Sequence, residues 1–189
     1  EAPLTTSAAA TPLKTRAELS ARREFVFKAE PEPSLALLRE LGIDAVSLAN
    51  NHILDYQAQG LSDTKAHLRA AGIASTGAGS ACEARRPARV APGTLSCGLL
   101  SYAALETLPR PASFAARPHA PGIALIGYDA HGPSASTRAM LAADIKALAE
   151  DVDIVVVAFH WGDEGSATLR PGQRELAHFC IDQGADFIW

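Results

Sequence analysis

With 189 residues, 48% of them hydrophobic and 20% charged, the chain has the size and composition of one globular domain with a core of ordinary extent. Its formal net charge of −4 comes without a basic run longer than Arg85-Arg86, which argues against nucleic acid as a partner. No apolar stretch approaches the roughly 20 residues of a membrane-spanning helix, and three cysteines without a Cys-x-x-Cys pair offer neither a thiolate zinc site nor an evident disulfide frame.

Residues 1–30 are rich in Ala, Thr, Ser and Pro and read as an extended crossing segment that ends in an edge strand at 24–28. Pro33 then opens a helix whose Leu37, Leu38 and Leu41 share one face and which Gly42 ends. A short strand at 44–48 follows and runs into the polar cluster Asn50-Asn51-His52. Leu61, Thr64, Leu68 and Ala71 recur at helical steps before Gly72, and Ile73 leads a short strand into Gly77-Ala78-Gly79. From 80 to 136, Pro, Gly, Ala and Arg dominate, and only a strand at 98–102 is legible.

Order returns with a helix at 137–150 lined by Leu141, Ile145 and Leu148. The β-branched run 152–159 reads as a strand buried on both faces, broken by His160-Trp161-Gly162-Asp163-Glu164. Pro171 and Gly184 bracket a further helix that turns Leu176 and Cys180 inward, and 186–189 begins a strand. Cys180 is expected to be a small core residue, whereas pairing of Cys82 with Cys97 stays open. Strands alternating with helices place the chain in the α/β class.

His52 and His160 both follow the end of a predicted core strand, where a parallel sheet gathers its active site on one rim. An amide oxygen such as that of Asn51 suits a hard cation, and an imidazole serves as ligand or proton donor, so the pair fits metal-assisted hydrolysis. Asp55 and Glu164 stand close after the two histidines and can orient an imidazole N–H, although loop charges or helix caps are equally ordinary roles. A turn or helix-cap role for the Asn cluster stands beside the chemical one. Core packing is the favoured role for Trp161 over walling a site. His67, His119, His131 and His178 carry no assigned role. Gly77-Ala78-Gly79 lacks the Lys-Ser/Thr of a phosphate loop, and no Gly-x-Ser-x-Gly elbow occurs.

Several segments taken together resemble a known family: Glu1-Ala2-Pro3-Leu4-Thr5, Ser47-Leu48-Ala49-Asn50-Asn51-His52-Ile53-Leu54-Asp55-Tyr56, Gly60-Leu61 with Thr64, Ala71-Gly72-Ile73 with Gly77-Ala78-Gly79, and His160-Trp161-Gly162 with Gln173 and Gly184-Ala185-Asp186. The resemblance is to the CapA family of capsule or poly-γ-glutamate biosynthesis proteins, which are similar to calcineurin-like metallophosphoesterases, and it runs almost end to end. It implies one domain over residues 1–189, built as a metallophosphoesterase-like four-layer sandwich of two β-sheets flanked by helices. It also implies a two-metal site at one rim, holding divalent Mn, Fe, Zn or Mg. Glu1, matching the acidic residue of an Asn-Leu-Glu motif, would bridge the metals; Asn51 and His160 would be ligands, and His52 the acid beside the scissile group.

The family's upstream Gly-Asp and downstream Gly-His-His-Pro-His motifs have no counterpart, so the chain reads as a fragment lacking both ends of the domain. Gln57 stands where the family usually has glycine, and Gly165 where an aromatic is common. The implied function is that of a metal-dependent, phosphoesterase-like hydrolase of the bacterial cell envelope, periplasmic or membrane-anchored and extracellular. It would act in synthesis, release or export of an anionic surface polymer. The polymer or a phosphoester would be the substrate, and membrane-bound polymer synthase subunits the partners. The alternative is a non-enzymatic binding or assembly subunit that keeps the fold.

Overall fold

The structure, a computed structural model, describes residues 26–108, 111–163 and 165–189. The described part of the expected edge strand, residues 26–28, belongs to no sheet, and residues 24 and 25 lie outside the described residues. The amide of Phe27, the donor a ladder would have used, goes to the Asp55 carboxylate instead. Helix α1 spans Pro31–Glu40 with proline in its first turn, where a missing N–H costs nothing. Its inward side chains are Leu35 and Leu38, while Leu37 and Leu41 are 54% and 63% exposed, contrary to the expected face. The apolar run is wider than the surface its neighbours cover.

Strand β1 (Ala45–Ser47) pairs in parallel with β2 (Ala74–Thr76), and α2 (Gln57–Ala70) crosses between them. Leu61, Thr64 and Leu68 form the buried stripe of α2, at the helical spacing that the sequence shows. After β2 come several short elements: β3 (Ala78–Gly79), α3 (Ala81–Ala84), β4 (Ala88–Val90), β5 (Cys97–Ala104), α4 (Pro111–Phe114), β6 (Gly122–Ile123), β7 (Leu125–Ile126), β8 (Tyr128–Asp129) and β9 (Gly132–Pro133). Two-residue strands have no period to read, which is why most of 80–136 looked like loop. Helix α5 (Ala135–Ala149), strand β10 (Ile154–His160), helix α6 (Pro171–Asp182) and strand β11 (Phe187–Ile188) complete the order.

Strands β11, β10, β5 and β4 lie side by side in that order, and β7 also pairs with β5. Strand β10 runs parallel to β5 over its whole length, which sets His160 opposite Ala103. The alternation along β5 shows how the sheet is covered, since successive side chains point to opposite faces. Leu100, Tyr102 and Ala104 join a core with Leu141, Ile145 and Leu148 of α5 and Leu176 and Cys180 of α6. Ala103 faces the other way, into a second core with Leu48, Ile53, Leu61, Leu68 and Ile123. The five-stranded sheet thus carries α5 and α6 on one face, and the β1–β2 pair with α1 and α2 on the other. Each leucine fully buried in these cores contributes about 1.5–3 kcal/mol. Cys180 is a core residue, and Cys82, Cys97 and Cys180 are all free thiols.

Candidate active site

The site is built from the chain that leaves β1. The amide of Leu48 still donates to the Thr76 carbonyl at 2.9 Å, extending the β1–β2 ladder by one bond, and the chain then turns. Asn50 Oδ1 accepts from the amide of His52 at 2.9 Å, an Asx-turn of the kind asparagine favours. The Asp55 amide in turn donates to the His52 carbonyl at 2.9 Å, folding the segment back on itself. Ile53, fully buried in the second core, anchors the turn between its polar residues.

This double turn brings His52 Nδ1 within 2.9 Å of Asp55 Oδ2, a carboxylate whose side chain is 0% exposed. The amide of Phe27 donates to the same oxygen, also at 2.9 Å. The phenyl ring of Phe27 meets the imidazole edge-on, with centroids 4.5 Å apart and planes at 69°. With Nδ1 engaged by the carboxylate, Nε2 is the ring nitrogen left for chemistry. Gln57, just beyond, has φ 59°, the left-handed region that favours glycine.

A cavity of about 540 Å³ opens between the end of β1 and the end of β10. Ser47, Ala49 and Asn50 line one side, Ala158, Phe159 and His160 the other, and Leu37 and Leu38 of α1 border it. The ends of β1 and β10 therefore border one cavity, which His160 lines and His52 does not, and they are not neighbours in one parallel sheet: β1 and β10 belong to different sheets. The junction is made across the layers, where Ser47 Oγ of β1 and Ser101 Oγ of β5 are hydrogen-bonded.

Beyond His160, Trp161 stacks on Phe159 at 4.8 Å and meets Tyr128 edge-on at 6.3 Å, the packing role favoured for a large aromatic. Burial, reinforced by the adjoining Glu106 carboxylate, pushes the Tyr128 phenol above its ordinary range. Gly162 has φ 82°, and a Cβ there would fall 2.9 Å from the Gln173 amide nitrogen. Gln173 Oε1 accepts from the Arg170 amide at 2.8 Å, closing the start of α6. The loop after His160 is thereby tied to a helix.

Glu1 and Glu164, expected as metal bridge and orienting carboxylate, lie outside the described residues. Asn51 directly follows the cavity-lining Asn50 and is partly buried. Among the described residues, no three His, Cys, Asp or Glu side chains stand together as a ligand set. The donors near the cavity, one imidazole and neighbouring amides, suit Mn, Fe, Zn or Mg better than a soft ion, and a complete ligand set needs carboxylates beyond them. Asp55, with Oδ2 taken by two donors, stands behind His52. Phe27 and the Ser47–Ser101 pair escaped the sequence reading, because their partners are 28 and 54 residues away.

The sequence profile described as "Bacterial capsule synthesis protein PGA_cap" matches residues 2–189. A "Probable polyglutamine synthesis accessory protein" of Mycobacterium tuberculosis (strain ATCC 25618 / H37Rv) is 37% identical over 174 residues, covering 90% of this chain and 44% of the relative. The "PGA biosynthesis protein CapA" of Bacillus subtilis (strain 168) is 28% identical over 160 residues, 82% of this chain and 38% of the relative. The "Capsule biosynthesis protein CapA" of Bacillus anthracis is 28% identical over 165 residues, 83% of this chain and 36% of the relative. The chain thus spans less than half the length of these curated relatives.

Proposed function

We propose, from the premise that this chain belongs to the PGA_cap family of bacterial capsule synthesis proteins, that it forms the metal-dependent hydrolytic unit of a CapA-like protein. The unit would act in synthesis, release or export of a poly-γ-glutamate-type anionic polymer at the cell envelope, alongside membrane-bound synthase subunits. Its fold would be the metallophosphoesterase-like four-layer sandwich, a reading supported by the two cores on opposite faces of the five-stranded sheet. No helix among the described residues is long and apolar enough to cross a membrane.

The observation that carries the reading is the His52–Asp55 pair at the cleft end of β1. Asp55, buried behind the ring, accepts the hydrogen bond from Nδ1–H, which keeps its proton, and so fixes which nitrogen faces the reacting atoms. The imidazolium then gives its Nε2 proton to the leaving atom of the scissile phosphoester or amide, and the carboxylate stabilises the charged ring until the proton leaves. A positioned acid of this kind contributes roughly 10²–10⁴-fold in rate. Asn51 and His160, with Glu1, would hold divalent cations, whose chemistry when bound is to polarise the scissile group and supply a hydroxide. The walls around Leu48 and Phe159 are largely apolar, and a substrate seated between them would displace water and strengthen the charge interactions it makes there.

The test is turnover by the full-length protein of p-nitrophenyl phosphate and of γ-linked polyglutamate, with and without added Mn²⁺. Metal-dependent hydrolysis of either, abolished in a folded His52→Ala variant, is the expected result. No hydrolysis of either, with polymer production in cells still requiring the protein, would replace this reading by that of an assembly subunit.

A further inference from the structure

We propose that Phe27 is a positioning residue for His52, holding the imidazole in the one orientation that keeps Nδ1 on Asp55. The inference rests on the assignment of His52 as the proton donor and adds a residue to it. Two separate contacts from one residue converge on the pair. The backbone amide of Phe27 reaches Asp55 Oδ2 at 2.9 Å, the oxygen that also accepts from His52 Nδ1. The side chain of the same residue lies edge-on to the imidazole at 4.5 Å.

The two contacts act on different freedoms. Asp55 Oδ2 is held from two directions, so a carboxylate that turns toward another partner gives up both bonds. The phenyl ring packs against the imidazole, so turning the imidazole out of its present plane, or swinging it about Cα–Cβ, costs the aromatic contact as well as the Asp55 bond. The segment that supplies both contacts belongs to no sheet, and two residues on, Ala29 lines the cavity. One stretch of chain therefore reaches from the back of the acid to the wall of the cleft. Phe27 is itself 40% exposed, more than a side chain kept for core packing alone would be.

The experiment compares wild type with Phe27→Ala, Phe27→Leu and Phe27→Tyr. Imidazole nitrogen NMR spectra of ¹⁵N-histidine-labelled protein, at a pH where the ring is neutral, report the His52 tautomer. Turnover of p-nitrophenyl phosphate by the full-length protein with Mn²⁺ gives kcat and KM. In wild type, His52 should be a single Nδ1–H tautomer. Phe27→Ala keeps the backbone amide and removes the ring; it should give a mixture of tautomers and lower kcat about tenfold with KM nearly unchanged, as a misplaced catalytic group does. Phe27→Tyr should restore both readouts, and Phe27→Leu, which keeps bulk without an aromatic edge, should not.

If Phe27→Ala does not fold, the Leu and Tyr variants decide, and a Leu variant with the wild-type tautomer overturns the proposal. An unchanged tautomer in a folded Phe27→Ala protein overturns it equally. If wild type itself has no turnover, the hydrolytic reading fails, and the tautomer measurement still decides the role of Phe27.

Discussion

Gly77 presses against Ala49 where the chain leaves β1: a Cβ added at 77 would lie 2.7 Å from the Ala49 Cβ and 2.9 Å from the Ser101 hydroxyl. Its backbone also has φ 94°, a conformation that side chains disfavour. Gly77→Ala should therefore cost about 2–4 kcal/mol, combining strain with overpacking. Urea denaturation measures it, with Gly93→Ala as the control: Gly93 has open space around it and should stay within about 0.5 kcal/mol of wild type.

His52 and His160 should fail in different ways. His160→Ala should lower metal content, with activity partly returning at high metal concentration, because a lost ligand weakens binding. His52→Ala should keep its metal and lose turnover by roughly 10²–10⁴-fold, least on substrates with good leaving groups. Metal analysis and turnover of both variants, on a poor and a good leaving group, check this. Equal metal loss in both would make His52 a ligand.

Asp55 separates stability from chemistry. Asp55→Ala leaves the Phe27 amide and His52 Nδ1 without their acceptor, and should cost about 1–3 kcal/mol of stability besides turnover. Asp55→Asn keeps an acceptor oxygen, so it should recover most of the stability while turnover stays low. Thermal denaturation beside kinetics distinguishes the two effects.

Gln57 occupies the left-handed region at the start of α2, a conformation that favours glycine. Relief of about 1–2 kcal/mol of strain outweighs the backbone entropy that glycine loses on folding, so Gln57→Gly should stabilise by about 0.5–1 kcal/mol. A rise in the urea midpoint is the expected result.

Glu83 gives a pH signature remote from the cleft. Hydrogen bonds from the Ser80 backbone and side chain, with Lys65 beside it, lower its pKa to about 2 from an ordinary value of 4.5. The unfolded state therefore binds more protons between those values, and stability falls as pH drops through that window. Glu83→Gln should cost less than about 1 kcal/mol at neutral pH, since the pair is solvent-screened. Its stability should meet that of wild type near pH 2, as acid titration by circular dichroism would show.

Long periodic elements were legible in the sequence, and pairings between distant short ones were not. Helix α2 and strand β10 stand within a few residues of their expected bounds, the helix because its burial follows one period over several turns and the strand because its apolar β-branched run is unbroken. The face of α1 was misread since leucines at 35, 37, 38 and 41 allow two stripes, and only the packed neighbours choose between them. Asp55 could be suspected from its spacing to His52, a local relation. Phe27 could not, because what matters is where its amide goes.

The cleft has a mechanical property of its own. Asn50 hangs from the second core through Ala49 and Ile53, whereas His160 continues directly from Phe159 of the first. Beside the cavity the two layers touch through small groups: Ser47 bonds to Ser101, and Gly77 stands against Ala49 and Ser101. The gap between Asn50 and His160 therefore depends on how closely β1 and Gly77 approach β5. Substitutions at Gly77 or Ser101, one methylene at a time, would thus change the width of the cleft while every residue that lines it stays the same.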